Sequence, residues 1–161
     1  MNHQKESPAK NVAGLCGWMA LCFAAASPGA FFMPGDWYAS LQKPSWNPPG
    51  WIFGPVWSAL YAMMGVAAWL VWKRGGFPAQ RKALGLFLGQ LALNALWTPL
   101  FFGLHLPGPA FAEIILLWLA IAATLIAFRS VNRIAFWLLV PYLAWVTFAA
   151  FLNGTLWRMN S

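Results

Sequence analysis

The chain has 161 residues, enough for one domain, of which 61% are hydrophobic and 8% charged. Soluble globular proteins carry about 25% charged residues, so that class is excluded. Ten Lys and Arg against three acidic residues give a net charge of +7, but the basic residues lie between apolar runs rather than on one face, which suits membrane topology better than nucleic acid.

A bilayer core takes about 20 apolar residues per helix. Five runs meet that length: 12–33, 51–72, 83–104, 109–128 and 134–157. The sequence predicts an all-α membrane protein, a five-transmembrane-helix bundle forming one domain over 1–161. The first run follows a basic tail holding His3 and reaches Ala24-Ala25-Ala26, a pattern shared with cleaved secretory signals. Its apolar character continues through Phe31, Phe32 and Met33, which favours a retained helix. Cys16 and Cys22 are six apart and fall on different helix faces, so neither a disulfide nor a metal site is read there.

The loop at 34–50 runs into the second span through KPSWNPPGWIFGPVW (43–57), which packs four prolines and three tryptophans into fifteen residues. The second span then carries Trp57, Tyr61, Met64 and Ala68 as one stripe. In the third, Gly85, Gly89, Ala92 and Leu96 fall within a narrow arc, with Gly85 and Gly89 forming a GxxxG. Gln90, Asn94, Trp97 and Phe101 lie on another face. Amides are costly in lipid, so Gln90 and Asn94 should face protein or a cavity. Two readings stand for this helix: a dimer seam with a pocket wall, or small residues and amides packing the chain's own bundle.

His105 lies in a turn without a second ligand at metal spacing and reads as structural or solvated. Glu113 follows Pro109 in the first turns of the fourth span, where the helix macrodipole favours a carboxylate. The rest of that span, with Trp118, reads as scaffold. The fifth span aligns Pro141, Trp145, Ala149 and Leu152 in one stripe. For Trp57 and Trp145, a cavity wall and an interfacial aromatic belt both fit their positions. Pro28, Pro55, Pro99 and Pro141 should bend or end their spans, and bent helices leave gaps for ligands. No Ser/His/Asp or Cys/His arrangement, phosphate loop or metal motif is present.

Alternating spans put Lys5, Lys10, Lys73, Arg74, Arg81, Lys82, Arg129 and Arg133 on one side and Lys43 and Arg158 on the other. Eight against two predicts a cytoplasmic N-terminus, with the Trp/Pro loop and the C-terminus opposite.

The stretch WYASLQKPSWNPPGWIFGPVW (37–57) closely resembles the signature of the TspO/MBR family, the tryptophan-rich sensory proteins related to the mitochondrial translocator protein or peripheral-type benzodiazepine receptor. GQLALNALWTPLFFG (89–103) and PYLAWVTFAAFLN (141–153) are similar to that family's third and fifth helices. The resemblance covers about Trp37 to Arg158 and implies a five-helix bundle, a homodimer, and a retained first helix. It implies a membrane receptor or sensor that binds porphyrins such as protoporphyrin IX, with no required cofactor. It also implies a pocket capped by loop 34–50 and lined by Tyr38, Trp46, Pro48, Trp57, Gln90, Asn94, Trp97, Trp145, Ala149 and Leu152. Some members degrade protoporphyrin in light and oxygen, and the tryptophans implicated match Trp57 and Trp145. Animal members carry a sterol pattern ending the fifth helix; here Gly154 stands where its Tyr would be, so cholesterol is not expected. Prolines cut the unfolded-state entropy of a lid, and Trp rings supply flat apolar area with an N–H handle. Lys43 and backbone N–H groups sit where ligand propionates would need partners. A light-driven protoporphyrin-degrading enzyme is the second reading. A porphyrin or sterol transporter is the third, and no inverted repeat supports it.

Overall fold

The structure is a computed structural model and describes residues 8–161; Lys5 and His3 of the tail lie outside them. Five helical spans are long and apolar enough to cross a membrane: Pro8–Phe31, Gly50–Trp72, Arg81–Gly103, Pro107–Val131 and Arg133–Met159. They match the predicted runs to within a few residues at each end. The described residues contain no strand.

The first span is α1 (Pro8–Ala26) followed by the short α2 (Pro28–Phe31). The loop contains a short helix that apolar periodicity did not reveal, α3 (Asp36–Ser40). A 3-10 turn at Gly50–Ile52 leads into α4 (Phe53–Trp72). The basic connection holds α5 (Gly76–Ala79), entered through Gly75 at φ +111°, a left-handed turn that a glycine adopts without a Cβ clash. The third span is α6 (Arg81–Thr98) closed by a π turn over Pro99–Gly103. There the Leu104 N–H reaches the Pro99 carbonyl at 2.8 Å, the five-residue reach that makes the turn wider than an α turn. The hairpin α7 (Pro107–Val131) and α8 (Arg133–Met159) completes the chain. Pro107 opens α7, where a missing N–H costs nothing. Asn132 breaks the hairpin in extended backbone and caps α8, its Oδ1 accepting from the N–H groups of Ile134 and Ala135 at 2.9 and 3.1 Å. Pro141 lies well inside α8, and the helix continues through it.

The spans form a ring in the order α1, α4, α8, α7, α6. In lipid, association rests on close packing rather than on hydrophobic burial. Small residues supply it on α4, where Gly65, Ala67 and Ala68 are buried. A Cβ on Gly65 would lie 3.1 Å from the Met19 Cα, so α1 approaches α4 at backbone distance. Trp69 ties the same helices by donating its indole N–H to the Asn11 carbonyl at 3.0 Å. The basic end is braced by cations over rings: Lys10 over Trp72 at 5.8 Å, Lys73 over Trp69 at 4.5 Å and Arg129 over Phe136 at 5.9 Å.

Candidate functional site

A polar ladder crosses the middle of the bundle. The Tyr61 hydroxyl on α4 donates to Asn94 Oδ1 on α6. Asn94 Nδ2 donates to the Tyr142 oxygen on α8 at 3.0 Å, and the Tyr142 hydroxyl donates to Gln90 Oε1 at 2.9 Å. All four side chains are buried. Gln90 and Asn94 stand one turn apart on α6, so one helix face supplies both amides. Buried amides hold only where partners exist, and here two tyrosines supply them. One donor is left over: Gln90 Nε2 has no hydrogen-bond partner. Tyr142 was not singled out in the sequence because it sits one residue off the Pro141–Trp145 stripe. It therefore points about 100° away, into the ring.

Toward the loop at 34–50 the side chains turn aromatic. Trp57 stacks on Tyr61 with ring centroids 5.6 Å apart and meets Tyr142 edge-on at 6.2 Å. Trp145 meets Phe53 at 5.9 Å and Phe148 at 5.5 Å, and Trp46 of the lid reaches Phe148 at 6.0 Å. The buried Trp145 Nε1 also has no acceptor. Two indole or amide donors in this region thus face no partner within the chain.

The lid docks on the α6 end and α8. Tyr38 donates to Asn47 Oδ1 at 3.1 Å, lies edge-on to Phe102 at 5.4 Å, and has the Lys43 ammonium over its ring at 4.9 Å. Burial raises the Tyr38 hydroxyl above its ordinary value, and the bond to Asn47 offsets this in part. Leu152 is buried with Phe101, Ala110 and Leu156 against Trp37, Tyr38 and Trp97. Trp97 stacks on Phe101 at 5.1 Å and donates to Asn153 Oδ1 at 3.1 Å. Asn153 passes that bond on to the Pro107 carbonyl at 2.8 Å, which ties the third span to the fourth and fifth. Pro48 takes part through its carbonyl, which accepts from Asn47 Nδ2 at 3.1 Å. Ala149 packs against the main core. His105, at φ +55°, stacks face to face on Trp37 at 4.3 Å. It is both exposed and structural, and it anchors the lid helix to the turn before α7.

Two expectations from sequence change. Gly85, Gly89 and Ala92 face outward, and a Cβ on either glycine would meet nothing within 4 Å. They do not pack the chain's own bundle, so that reading of the GxxxG falls. Glu113 lies beyond the first turn of α7, where the macrodipole acts most strongly, and is buried: it is 6% exposed and both its oxygens are without a hydrogen-bond partner. Helix α7 begins at Pro107, two residues before Pro109, which carries Glu113 past the first turn and inward.

The site holds phenols, indoles and amides, with no acid–base pair or nucleophile among its hydrogen bonds. The described residues contain no group of three His, Cys, Asp or Glu placed to hold a metal. Such a set of side chains presents flat aromatic faces and N–H donors rather than the groups that proton transfer uses.

The model of the TspO/MBR family matches residues 18–158, from within α1 to the last turn of α8, taking in the lid and every face of the site. The chain belongs to the TspO/MBR family. It is 49% identical over 143 residues to the translocator protein of Ovis aries, covering 83% of this chain and 85% of that one. It is 42% identical over 147 residues to protein CrtK of Rhodobacter capsulatus, covering 89% of this chain and 90% of that one. It is 43% identical over 143 residues to the tryptophan-rich sensory protein of Cereibacter sphaeroides, covering 89% of each. As a TspO/MBR chain it is an integral, multi-pass membrane protein with five spanning helices.

Proposed function

We propose that this protein is a membrane receptor or sensor for porphyrins, protoporphyrin IX or a haem-type tetrapyrrole, held beneath the Trp/Pro lid. The observation that carries the reading is the cluster of aromatic rings beneath the loop together with two buried donors, Trp145 Nε1 and Gln90 Nε2, that lack acceptors. A planar macrocycle offers flat faces to the rings of Trp46, Trp57, Trp97 and Trp145, and acceptors to those donors. The Lys43 ammonium lies over the Tyr38 ring and donates to the carbonyls of Ala39 and Leu41 at 3.0 Å, which leaves one N–H to offer a propionate. The kinship with a protein named sensory supports the receptor role. A protoporphyrin titration of detergent-purified protein tests it: saturable quenching of tryptophan fluorescence in the dark is expected, and its absence rejects the reading.

A second reading is light- and oxygen-dependent degradation of the bound porphyrin. Trp57 favours it, because its ring stacks on Tyr61 and meets Tyr142 edge-on, so an indole adjoins two phenols that are joined through the Asn94 amide. Absorbance loss under light that disappears in Trp57→Phe and Trp145→Phe is expected. Unchanged loss in both variants removes those residues from the chemistry.

The outward face of Gly85, Gly89 and Ala92 favours a homodimer through α6, since small residues let helix backbones approach. The eight-to-two charge bias favours a cytoplasmic N-terminus with the lid and C-terminus opposite. Transport is the weaker alternative, although relatives carry the name translocator. Cholesterol is not expected as a partner, because Gly154 replaces the aromatic residue of the sterol pattern.

A further inference from the structure

Away from the lid site, a groove of ≈ 430 Å³ runs along the outer face of the α7–α8 hairpin. Its α7 wall is Phe111, Ile115 and Trp118, and its α8 wall runs from Thr147 to Arg158. We propose that this groove holds an acyl chain of an anionic glycerophospholipid whose phosphate sits at Arg158.

Four observations converge on that occupant. The first is polarity. The polar groups at the deep end satisfy one another: the Trp118 indole N–H donates to Thr147 Oγ1 at 2.8 Å, and Thr147 donates to the Leu143 carbonyl at 2.8 Å. The groove interior therefore presents hydrocarbon and ring faces, with no polar anchor for a hydrophilic ligand. The second is shape. Gly154 lies in the α8 wall, and a Cβ there would come within 2.9 Å of the Phe111 ring. Any larger residue would push that ring or fill the channel, so the glycine sets the width.

The third observation is length. Thr147 to Arg158 spans eleven residues of α8, about 16 Å at a rise of about 1.5 Å per residue. One leaflet of a bilayer is about 15 Å of hydrocarbon. The groove thus extends from the helix end to about mid-membrane, the reach of one acyl chain. The fourth is charge. Arg158 is exposed in the last turn of α8 and makes no ion pair with a described residue. It sits at the groove mouth beside Trp157, whose half-exposed ring marks the interface end. A guanidinium binds phosphate with two parallel hydrogen bonds. A sterol offers one neutral hydroxyl and leaves that charge unmet, and a zwitterionic headgroup brings its own cation.

The test uses the full chain in nanodiscs of equal parts phosphatidylglycerol and phosphatidylcholine, released gently and weighed by native mass spectrometry. Retained phosphatidylglycerol is expected to exceed phosphatidylcholine. Arg158→Gln is expected to lower that preference about fivefold, the effect of one cation near an anionic surface. Ile115→Trp, which fills the groove from a position 41% exposed, is expected to lower retention of both lipids. Unchanged thermal unfolding of both variants keeps the reading separate from loss of fold. Equal retention of the two lipids by the wild-type chain overturns the proposal. So does a preference that survives Arg158→Gln, or displacement of the lipid by an equimolar sterol.

Discussion

The carboxamide of Asn160, just past the end of α8, clasps the backbone of Gln42 in the lid. Its Oδ1 accepts from the Gln42 N–H at 2.9 Å and its Nδ2 donates to the Gln42 carbonyl at 3.0 Å. Nδ2 also reaches the Leu156 carbonyl at 2.8 Å, which fixes the amide to its own helix. The clasp spans 118 residues of sequence and pins the middle of the lid to the C-terminus.

Asn160→Ala removes both clasp bonds. Each is exposed, so each is worth about 0.5–1 kcal/mol. Hydrogen exchange at the Gln42 amide is expected to speed up about tenfold, with the helices unaffected. An unchanged rate at Gln42 would mean that the aromatic contacts alone hold the lid.

The polar ladder gives an asymmetric prediction. Tyr142→Phe strips a partner from both Asn94 Nδ2 and Gln90 Oε1, leaving two buried groups unpaired. Gln90→Leu removes one bond together with an amide whose Nε2 is already unpaired. Tyr142→Phe should therefore cost more, about 1–2 kcal/mol, given the modest worth of hydrogen bonds within membranes. Denaturant titration in mixed micelles checks the order, and equal costs would reject the ladder as drawn.

Glycines on two faces should behave oppositely. Gly65→Val drives a side chain into the Met19 backbone and is expected to destabilise by about 1–3 kcal/mol. Gly89→Val meets no atom of its own chain within 4 Å and should leave the melting temperature of the isolated chain unchanged. If α6 is a seam between copies, the second substitution shifts the mass measured by light scattering from dimer to monomer. A mass that stays dimeric would place the seam elsewhere.

Glu113 is buried with both oxygens unpartnered. Such a group is costly in a membrane interior. Glu113→Leu is expected to raise the melting temperature, by an amount equivalent to about 1 kcal/mol or more. A fall instead would show that the carboxyl has a partner in the bilayer, such as a bound ligand or water.

Much of this protein was legible in its residues. Run lengths fixed the five spans, and the Trp/Pro segment marked the loop that docks on the ends of the third and fifth spans. The spacing of Gln90, Asn94 and Trp97 put polar and aromatic groups on one face of the third span. The tertiary structure decided which faces meet. It turned Gly85 and Gly89 outward, carried Glu113 inward, placed Tyr142 between the two amides, and brought Asn160 to Gln42. The physical reason is that these helices are apolar nearly all round. In a soluble helix the hydrophobic stripe marks the buried side. In lipid an outward Leu and an inward Leu cost about the same, so periodicity shows which residues share a face and leaves to packing the choice of neighbour.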